Sequence, residues 1–435
     1  MRRTLPILLL LMLAAILAVL MVLTQRDASQ RIVTLPDGVR LELLGTTVGS
    51  ATYSTELPWH RWVRRILPQK WTGWLPAATS ANCNLGTNSL TVHLRLTDGN
   101  GQTMGATPWQ GYATEDDSGF RYPRRGGGCS TGGGSGDQLH GVILQSYPRR
   151  QSRFWLHLFD QTNGVMASLR VANPVRGPFP EWQPRPLPQT ASNGPVILTL
   201  AALFQASSDP WAYVRPQWNL TAADPAWREA RVRYFRFVDA TGNEGASLSL
   251  REPAWQARAR VYRERFEDFA STERMVVTNL AIPAAGEYVE IDESADLAGV
   301  NVTVLVLAGA GKFMVTNGVA RSMMPSTSAG VGHSSSSFGN TVVETWWSAK
   351  PFLLVEVKNA LPEDEVFIRM LDNQGRVVKL EDDGSWSGSR PGLRCYRRDF
   401  DRPEGARSLN LEIVVSRPLG FEFMVNPADV QPAKP

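Results

Sequence analysis

FRFVDATGN, residues 235–243, alternates large side chains and then breaks at Asp239 and Gly242. Alternation with a period of two places Phe235 and Phe237 on one face of a strand. The side-chain oxygen of an Asp opens a turn, and a Gly takes the positive φ that closes it. The same spacing, Asp and then Gly three residues on, returns in LRLTDGNG (94–101) and IRMLDNQGR (368–376). A looser copy, LHLFDQTNG (156–164), places its Gly one residue later. Each copy predicts a β-hairpin corner.

A second echo is a strand that ends in Asn: LRVAN (169–173), MVVTN (275–279), FMVTN (313–317) and FEFMVN (421–426). Asn173 and Asn426 precede proline, which stops a strand. Further strands are read at 90–97, where Leu90, Val92, Leu94 and Leu96 alternate with polar residues, and at 255–261. The apolar runs 196–204, 302–307 and 352–357 fit strands buried on both faces. With charged residues at only 20% and 37 glycines, the chain reads as mainly β. The expected architecture is two or three antiparallel, Ig-like β-sandwiches in series behind an N-terminal transmembrane helix.

The segments TLPDGVRLELLGTTVG (34–49) and VDATGN (238–243), with the Asn-Pro strand ends, resemble a family of membrane-anchored bacterial β-sandwich proteins. The resemblance implies architecture and carries no activity with it.

The helix is read from LPILLLLMLAAILAVLMVL, residues 5–23, directly behind Arg2 and Arg3. Nineteen residues rising about 1.5 Å each span roughly 28 Å, close to a bilayer's hydrocarbon thickness. The arginines favour the cytoplasmic side, which puts the rest of the chain outside the cytoplasm in a single-pass cell-membrane protein. A cleaved signal peptide and a buried core helix are the rival readings. Residues 1–28 are taken as the anchor and 29–176 as the first sandwich, with a helical insertion near 57–68. Seven prolines among residues 174–195 set 177–195 as an extended linker. A second sandwich is expected at 196–317 and a Ser/Gly-rich loop at 318–341. Residues 342–435 form a third sandwich or complete the second.

Removing Arg2 and Arg3 lowers the formal charge from +4 to +2, which excludes a dedicated nucleic-acid binder. VLVLAGAGKF (304–313) lacks the first Gly and the Ser or Thr of a phosphate-binding loop, and reads as a hairpin turn. GSWSG (384–388) holds Trp386 where a nucleophilic Ser is needed. GGGCSTGGGSG (126–136) reads as a flexible loop. The five histidines show no zinc spacing, and His93 and His157 read as surface residues on strands. Neither a metal nor any other cofactor is expected, and no catalytic residue is assigned.

Three features remain as candidate sites. Cys83 and Cys129 fall in one predicted domain, either as a disulfide in an oxidising compartment or, with Cys395, as buried thiols. In ELPWHRWVRRILPQKWTGWLP (56–76), Trp59, Arg61, Trp62, Arg64 and Arg65 form a basic, aromatic helical segment. It suits either a membrane surface or the capping of an open sandwich end. Trp211, Tyr213, Trp218 and Trp227 serve either as a carbohydrate platform or as core and rim. The expected function is therefore a non-enzymatic, membrane-anchored protein presenting binding or structural surfaces in the cell envelope, to an envelope protein or a glycan. An envelope hydrolase or a carbohydrate-binding accessory protein is the alternative.

Overall fold

The computed structural model describes residues 31–56, 63–67, 80–81, 88–122, 128–132, 138–175, 177–207, 213–245, 250–316, 319–324, 332–338, 341–387 and 393–432. These are mainly β. The predicted anchor at 5–23 lies outside them, and among the described residues no helix is long and apolar enough to cross a membrane.

Strands pack in pairs of sheets, each pair around one core. In the first sandwich, Arg40–Val48, Leu90–Thr97 and Gln138–Leu144 face Arg153–Phe159 and Val165–Ala172. Leu41, Leu94, Phe154, Leu156 and Leu169 interdigitate between the sheets. Each such side chain contributes about 1.5–3 kcal/mol of burial.

The second sandwich uses Gln189–Asn193, Val196–Gln205 and Val214–Ala222 against Arg231–Asp239 and Trp255–Tyr262. The chain then leaves and builds the whole third sandwich from Arg274–Ala281 to Ser408–Ser416. It returns as Leu419–Val425 beside Trp255–Tyr262, and as Val430–Gln431 parallel to the strand Val196–Gln205. Phe421, Phe423 and Val425 complete the second core with Phe237 and Trp255. The expected serial order is thus corrected: the third sandwich is inserted into the second. Neither 196–317 nor 342–435 is a domain by itself: Leu419–Val425 and Val430–Gln431 complete the second sandwich, as the alternative for 342–435 had it, while the strands from Phe352–Lys358 to Ser408–Ser416 belong to the third.

The linker expected at 177–195 also needs correction. Its prolines precede residue 189 or sit in the turn at Pro195, so the proline-free Gln189–Asn193 pairs with Val196–Leu200 as a hairpin. The Ser/Gly loop expected at 318–341 contains the strands Val319–Met324 and Gly332–Phe338. They flank Gly311–Thr316 and Thr341–Ser348 in a four-stranded arm. Backbone pairing with a neighbouring strand needs no apolar side chain, so a poor core-former can still be a strand. Gly128–Gly132, within the glycine stretch read as a loop, is likewise a strand paired with Gln138–Val142. Residues 304–313 are no hairpin either. Val300–Ala308 pairs with Phe352–Lys358 and Gly311–Thr316 pairs with Thr341–Ser348, so Gly309 marks the passage from sandwich to arm. A Cβ there would meet the Ala284 carbonyl oxygen at 1.9 Å. At the root of the arm Arg397 and Asp399 form a buried ion pair at 3.0 Å, and Ser348 Oγ donates to Asp399 at 2.5 Å.

The Asp-x-x-Gly corners are all present. Asp98, Asp160, Asp239 and Asp372 each accept, through Oδ1, the backbone N–H groups two and four residues on. Gly101, Gly242 and Gly375 take φ of 79°, 88° and 77°. The copy at 160 is not longer than the others: Asn163, at φ 62°, fills the left-handed position, as Asn does more readily than most residues. A fifth corner, Asp116 to Phe120, has the same bonds.

Candidate functional site

Two joints hold the three sandwiches together. The first joins the first and second sandwiches through the corner at Asp239. Asn243 is buried there and uses every polar atom of its side chain. Its Oδ1 accepts from the Tyr147 N–H at 3.1 Å and from Arg149 Nε at 2.8 Å. Its Nδ2 donates to the Tyr147 carbonyl at 3.0 Å and to Asp239 Oδ2 at 3.1 Å. Ser146 Oγ donates to the Glu244 carbonyl at 2.8 Å. Arg149, stacked 4.5 Å from the Tyr147 ring centroid, donates to the Asn88 carbonyl. Arg150 grips Glu252 with two bonds of 2.7 and 2.8 Å. Burial pushes the Asp239 carboxyl above its ordinary value. At Asp116, bonds from Ser118 and Phe120 and the charge of Arg251 outweigh burial and hold it below.

The second joint is open. In Arg231–Asp239, Trp255–Tyr262 and Leu419–Val425, alternation sends Phe237, Ala257, Ala259, Phe421 and Phe423 into the core. The register sets Arg236 opposite Arg258, Arg258 opposite Glu422, Tyr234 opposite Arg260 and Arg260 opposite Gly420 on the outer face. That face is the floor of a cleft of about 640 Å³, whose far wall is Pro362, Glu363, Glu365 and Pro418 from the base of the third sandwich. The wall loop is clamped. Asp364 accepts from the Leu361 N–H at 2.9 Å and from Arg417 Nε at 3.1 Å, and Arg394 donates to the Leu361 and Asp364 carbonyls. Tyr262 donates to the Glu363 carbonyl at 2.8 Å and Tyr234 to Glu365 Oε1 at 2.5 Å, so two phenols brace floor against wall. The Glu365 carboxylate that accepts the Tyr234 hydroxyl, helped by burial, pushes that phenol up to about 12. It stays protonated at neutral pH and donates its O–H to Glu365.

Within the cleft Arg236 pairs with Glu244 at 2.6 Å, and Arg258 reaches Glu422 at 3.4 Å. Arg260 has no acidic partner among the described residues; it neighbours the Tyr262 hydroxyl, whose pKa burial raises and Arg260 lowers. Opposite Gly420, which lacks a side chain, its guanidinium has room to meet a ligand.

The residues singled out from the sequence are distributed elsewhere. Trp211 lies outside the described residues. Tyr213 is 63% exposed. Trp218 turns inward, its ring 5.5 Å from Phe235 and 5.6 Å from Phe423, and Trp227 packs on the same core beneath Arg263. Trp218 and Trp227 therefore do not form an exposed platform with Tyr213, because strand alternation at Val214–Ala222 assigns Trp218 to the core. Trp59, Arg61 and Trp62 lie outside the described residues. Val63–Ile66 is helical, with Arg64 and Arg65 exposed and Arg64 Nε 3.3 Å from Glu56. Cys83 is outside as well; Cys129 lies on Gly128–Gly132, its backbone opposite Gly141. Cys395 is buried with Phe313, Trp346 and Phe352.

His93 and His157, read as surface imidazoles, are buried. The Tyr53 ring stacks on His93 at 4.3 Å, Thr47 Oγ1 lies 2.8 Å from its Nε2, and burial lowers its pKa to about 4. The described residues contain no group of three His, Cys, Asp or Glu side chains placed to hold a metal ion. The sequence reading missed the arginine cleft. Its one signal was the run Arg231, Arg233, Arg236, Arg258, Arg260 on the polar side of two strands.

No protein-family model matches the chain, and no curated protein matches it. Among solved structures it is similar to the conserved domain protein from Bacillus anthracis at 9% identity. That match covers 56% of this chain and 90% of that one, with a TM-score of 0.18. A superposition this poor carries no argument about the site.

Proposed function

We propose that this is a non-enzymatic, membrane-tethered protein whose Ig-like sandwiches stand outside the cytoplasm and present the arginine cleft to a polar partner in the cell envelope. The observation that carries the reading is the cleft itself. At about 640 Å³ it has the size of a ligand site. Guanidinium donors, carboxylate acceptors and phenols line it at positions fixed by the clamped wall. Three of its ionisable pairs are spent on one another, Arg236 on Glu244, Arg258 on Glu422 and Tyr234 on Glu365, which leaves Arg260 to the partner. Such a surface recognises hydrogen-bonding groups and carboxylates or phosphates, which a guanidinium grips with two parallel bonds. The apolar run 5–23 behind two arginines supports the tether.

The test places a photo-cross-linking amino acid at Arg260 in the full chain, with the same label at the exposed Arg215 as control. Irradiation of intact membranes should give a discrete adduct from position 260 and none from 215. Equal adducts from both positions, or none from either, would overturn the cleft as the presenting surface.

A further inference from the structure

The open joint leaves two charges unspent, one on each side. On the floor, Arg260 lies on the central strand Trp255–Tyr262, with Tyr234 across from it on one side and Gly420 on the other. Neither cross-strand neighbour offers a carboxylate, whereas Arg236 and Arg258 each reach a glutamate on the next strand. On the wall, Glu363 carries the opposite charge. The arginines that clamp its loop are committed: Arg417 holds both oxygens of Asp364 at 3.1 and 3.3 Å, and Arg394 donates to the Leu361 and Asp364 carbonyls. Tyr262 donates to the backbone carbonyl of Glu363 and not to its carboxylate, and Tyr234 is taken by Glu365. Among the described residues the Glu363 carboxylate therefore makes no hydrogen bond or ion pair.

Both charges sit near the Tyr262 hydroxyl. Burial raises that phenol, and around it Arg260 acts to lower it and Glu363 to raise it. Yet the two do not pair with each other, so a cation on the floor faces an anion on the wall across the cleft. Three arginines and three glutamates line the whole site, which balances its charge. A phosphate drawn to Arg260 would be repelled by Glu363 and Glu365. A neutral sugar would leave both charges unmatched. A zwitterion satisfies the two at once: a guanidinium grips a carboxylate through parallel bonds, and a carboxylate accepts from an ammonium. Because Arg260 and Glu363 stand too far apart to pair, the ligand's own charges must be separated as well, as the two ends of a short peptide are. The clamp on the wall loop holds Glu363 in place before any ligand arrives, which lowers the ordering cost of binding.

We propose that Arg260 and Glu363 hold the two ends of a short peptide, Arg260 taking its carboxylate and Glu363 its ammonium. This assignment rests on the cleft reading given above. The full chain in detergent micelles is titrated calorimetrically with dialanine, N-acetyl-dialanine, dialanine amide, inorganic phosphate and glucose. The wild-type chain should bind dialanine, and blocking either end should weaken binding about 10- to 100-fold, the usual contribution of a hydrogen-bonded charge. Arg260→Gln should bind dialanine and its amide alike, and Glu363→Gln should bind dialanine and its acetyl form alike. Both side chains are partly exposed and outside any ion pair, so both variants should melt at the wild-type temperature. Dialanine bound no more tightly than its blocked forms would overturn the proposal, as would phosphate or glucose bound more tightly than dialanine. Either result leaves the cleft as the presenting surface untouched. Cross-linking at position 260 decides that role separately: no discrete adduct there, with dialanine bound as expected, would overturn the presenting role alone.

Discussion

The joint at Asn243 and the joint at Arg260 are made of the same residue types, yet one is sealed and the other open. The chain crosses between the first and second sandwiches once, through residues 177–188, so side chains must do the holding. Asn243 and Ser146 are buried and bonded to the facing backbone, and buried Arg149 is bonded to the Asn243 side chain. Between the second and third sandwiches the chain crosses twice, outward after Tyr262 and back before Leu419. Two covalent connections, with Phe266 and Phe269 packed on Val414, fix the pair without closing over the floor. Insertion of one sandwich into another thus leaves a cleft that a single linker would have had to fill.

Breaking the sealed joint should have the largest effect. Asn243→Ala leaves the Tyr147 N–H and carbonyl and Arg149 Nε without their partner in a buried setting. Each such group costs about 1–3 kcal/mol, so about 3–9 kcal/mol in all before the site relaxes. The full chain should melt several degrees lower, with earlier proteolytic cutting within 177–188. An unchanged melt and cutting pattern would show that the joint is held by something other than Asn243.

Acid should separate the two regions next. The folded pKa of His93, about 4, lies below its ordinary value of about 6.5. As pH falls, the unfolded chain therefore takes up the proton first. Stability from a neutral His93 is intact above about 6.5 and is lost between there and 4, by at most ~1.4 kcal/mol per pH unit and about 3 kcal/mol in total. The cleft is lined by no histidine. Melting at pH 7 and pH 4.5 should thus show the first sandwich weakening, and His93→Gln should flatten that dependence. The same slope in the variant would exclude His93 as its source.

Why some of this was legible in the sequence and some not follows from the range of each interaction. The corners at Asp98, Asp239 and Asp372 are local: one carboxylate caps two nearby N–H groups, and one Gly supplies the positive φ. The corner at Asp116 escaped because GYATE precedes it instead of an apolar alternation. The copy at Asp160 was misread because Asn163 stands in for Gly. The Asn strand ends also had local reasons: buried Asn173 donates to the carbonyls of residues 148, 149 and 151, and Asn426 caps the turn Pro427–Asp429. The insertion was not legible. It depends on the register of Leu419–Val425 with Trp255–Tyr262 and on Gln189 bonding to Met424, 235 residues away. His93 reads as exposed on alternation alone, since nothing near it in sequence announces that Tyr53 will cover that face. The cleft needs both the register and the insertion, so its arginines looked like an ordinary solvated face.

The smallest effect is expected at the open joint, where Tyr234 braces the floor against Glu365. The phenol is half-exposed, so its single hydrogen bond contributes only about 0.5–1.5 kcal/mol. Glu365→Gln should therefore barely move the melting temperature. Its electrostatic signature should be clear all the same. Glu365 is the foremost cause of the upward shift of Tyr234 to about 12, and a neutral amide removes the charge that opposes ionisation. Alkaline titration of tyrosinate absorbance should show one phenol moving down towards the ordinary value near 10, with Tyr234→Phe removing that phenol from the curve. A Tyr234 that titrates alike in Glu365→Gln and the wild type would mean the brace is absent in solution. The floor and the wall of the cleft would then be held by Tyr262, by Arg233 over the Phe367 ring, by Phe266 and Phe269 on Val414, and by the two chain crossings.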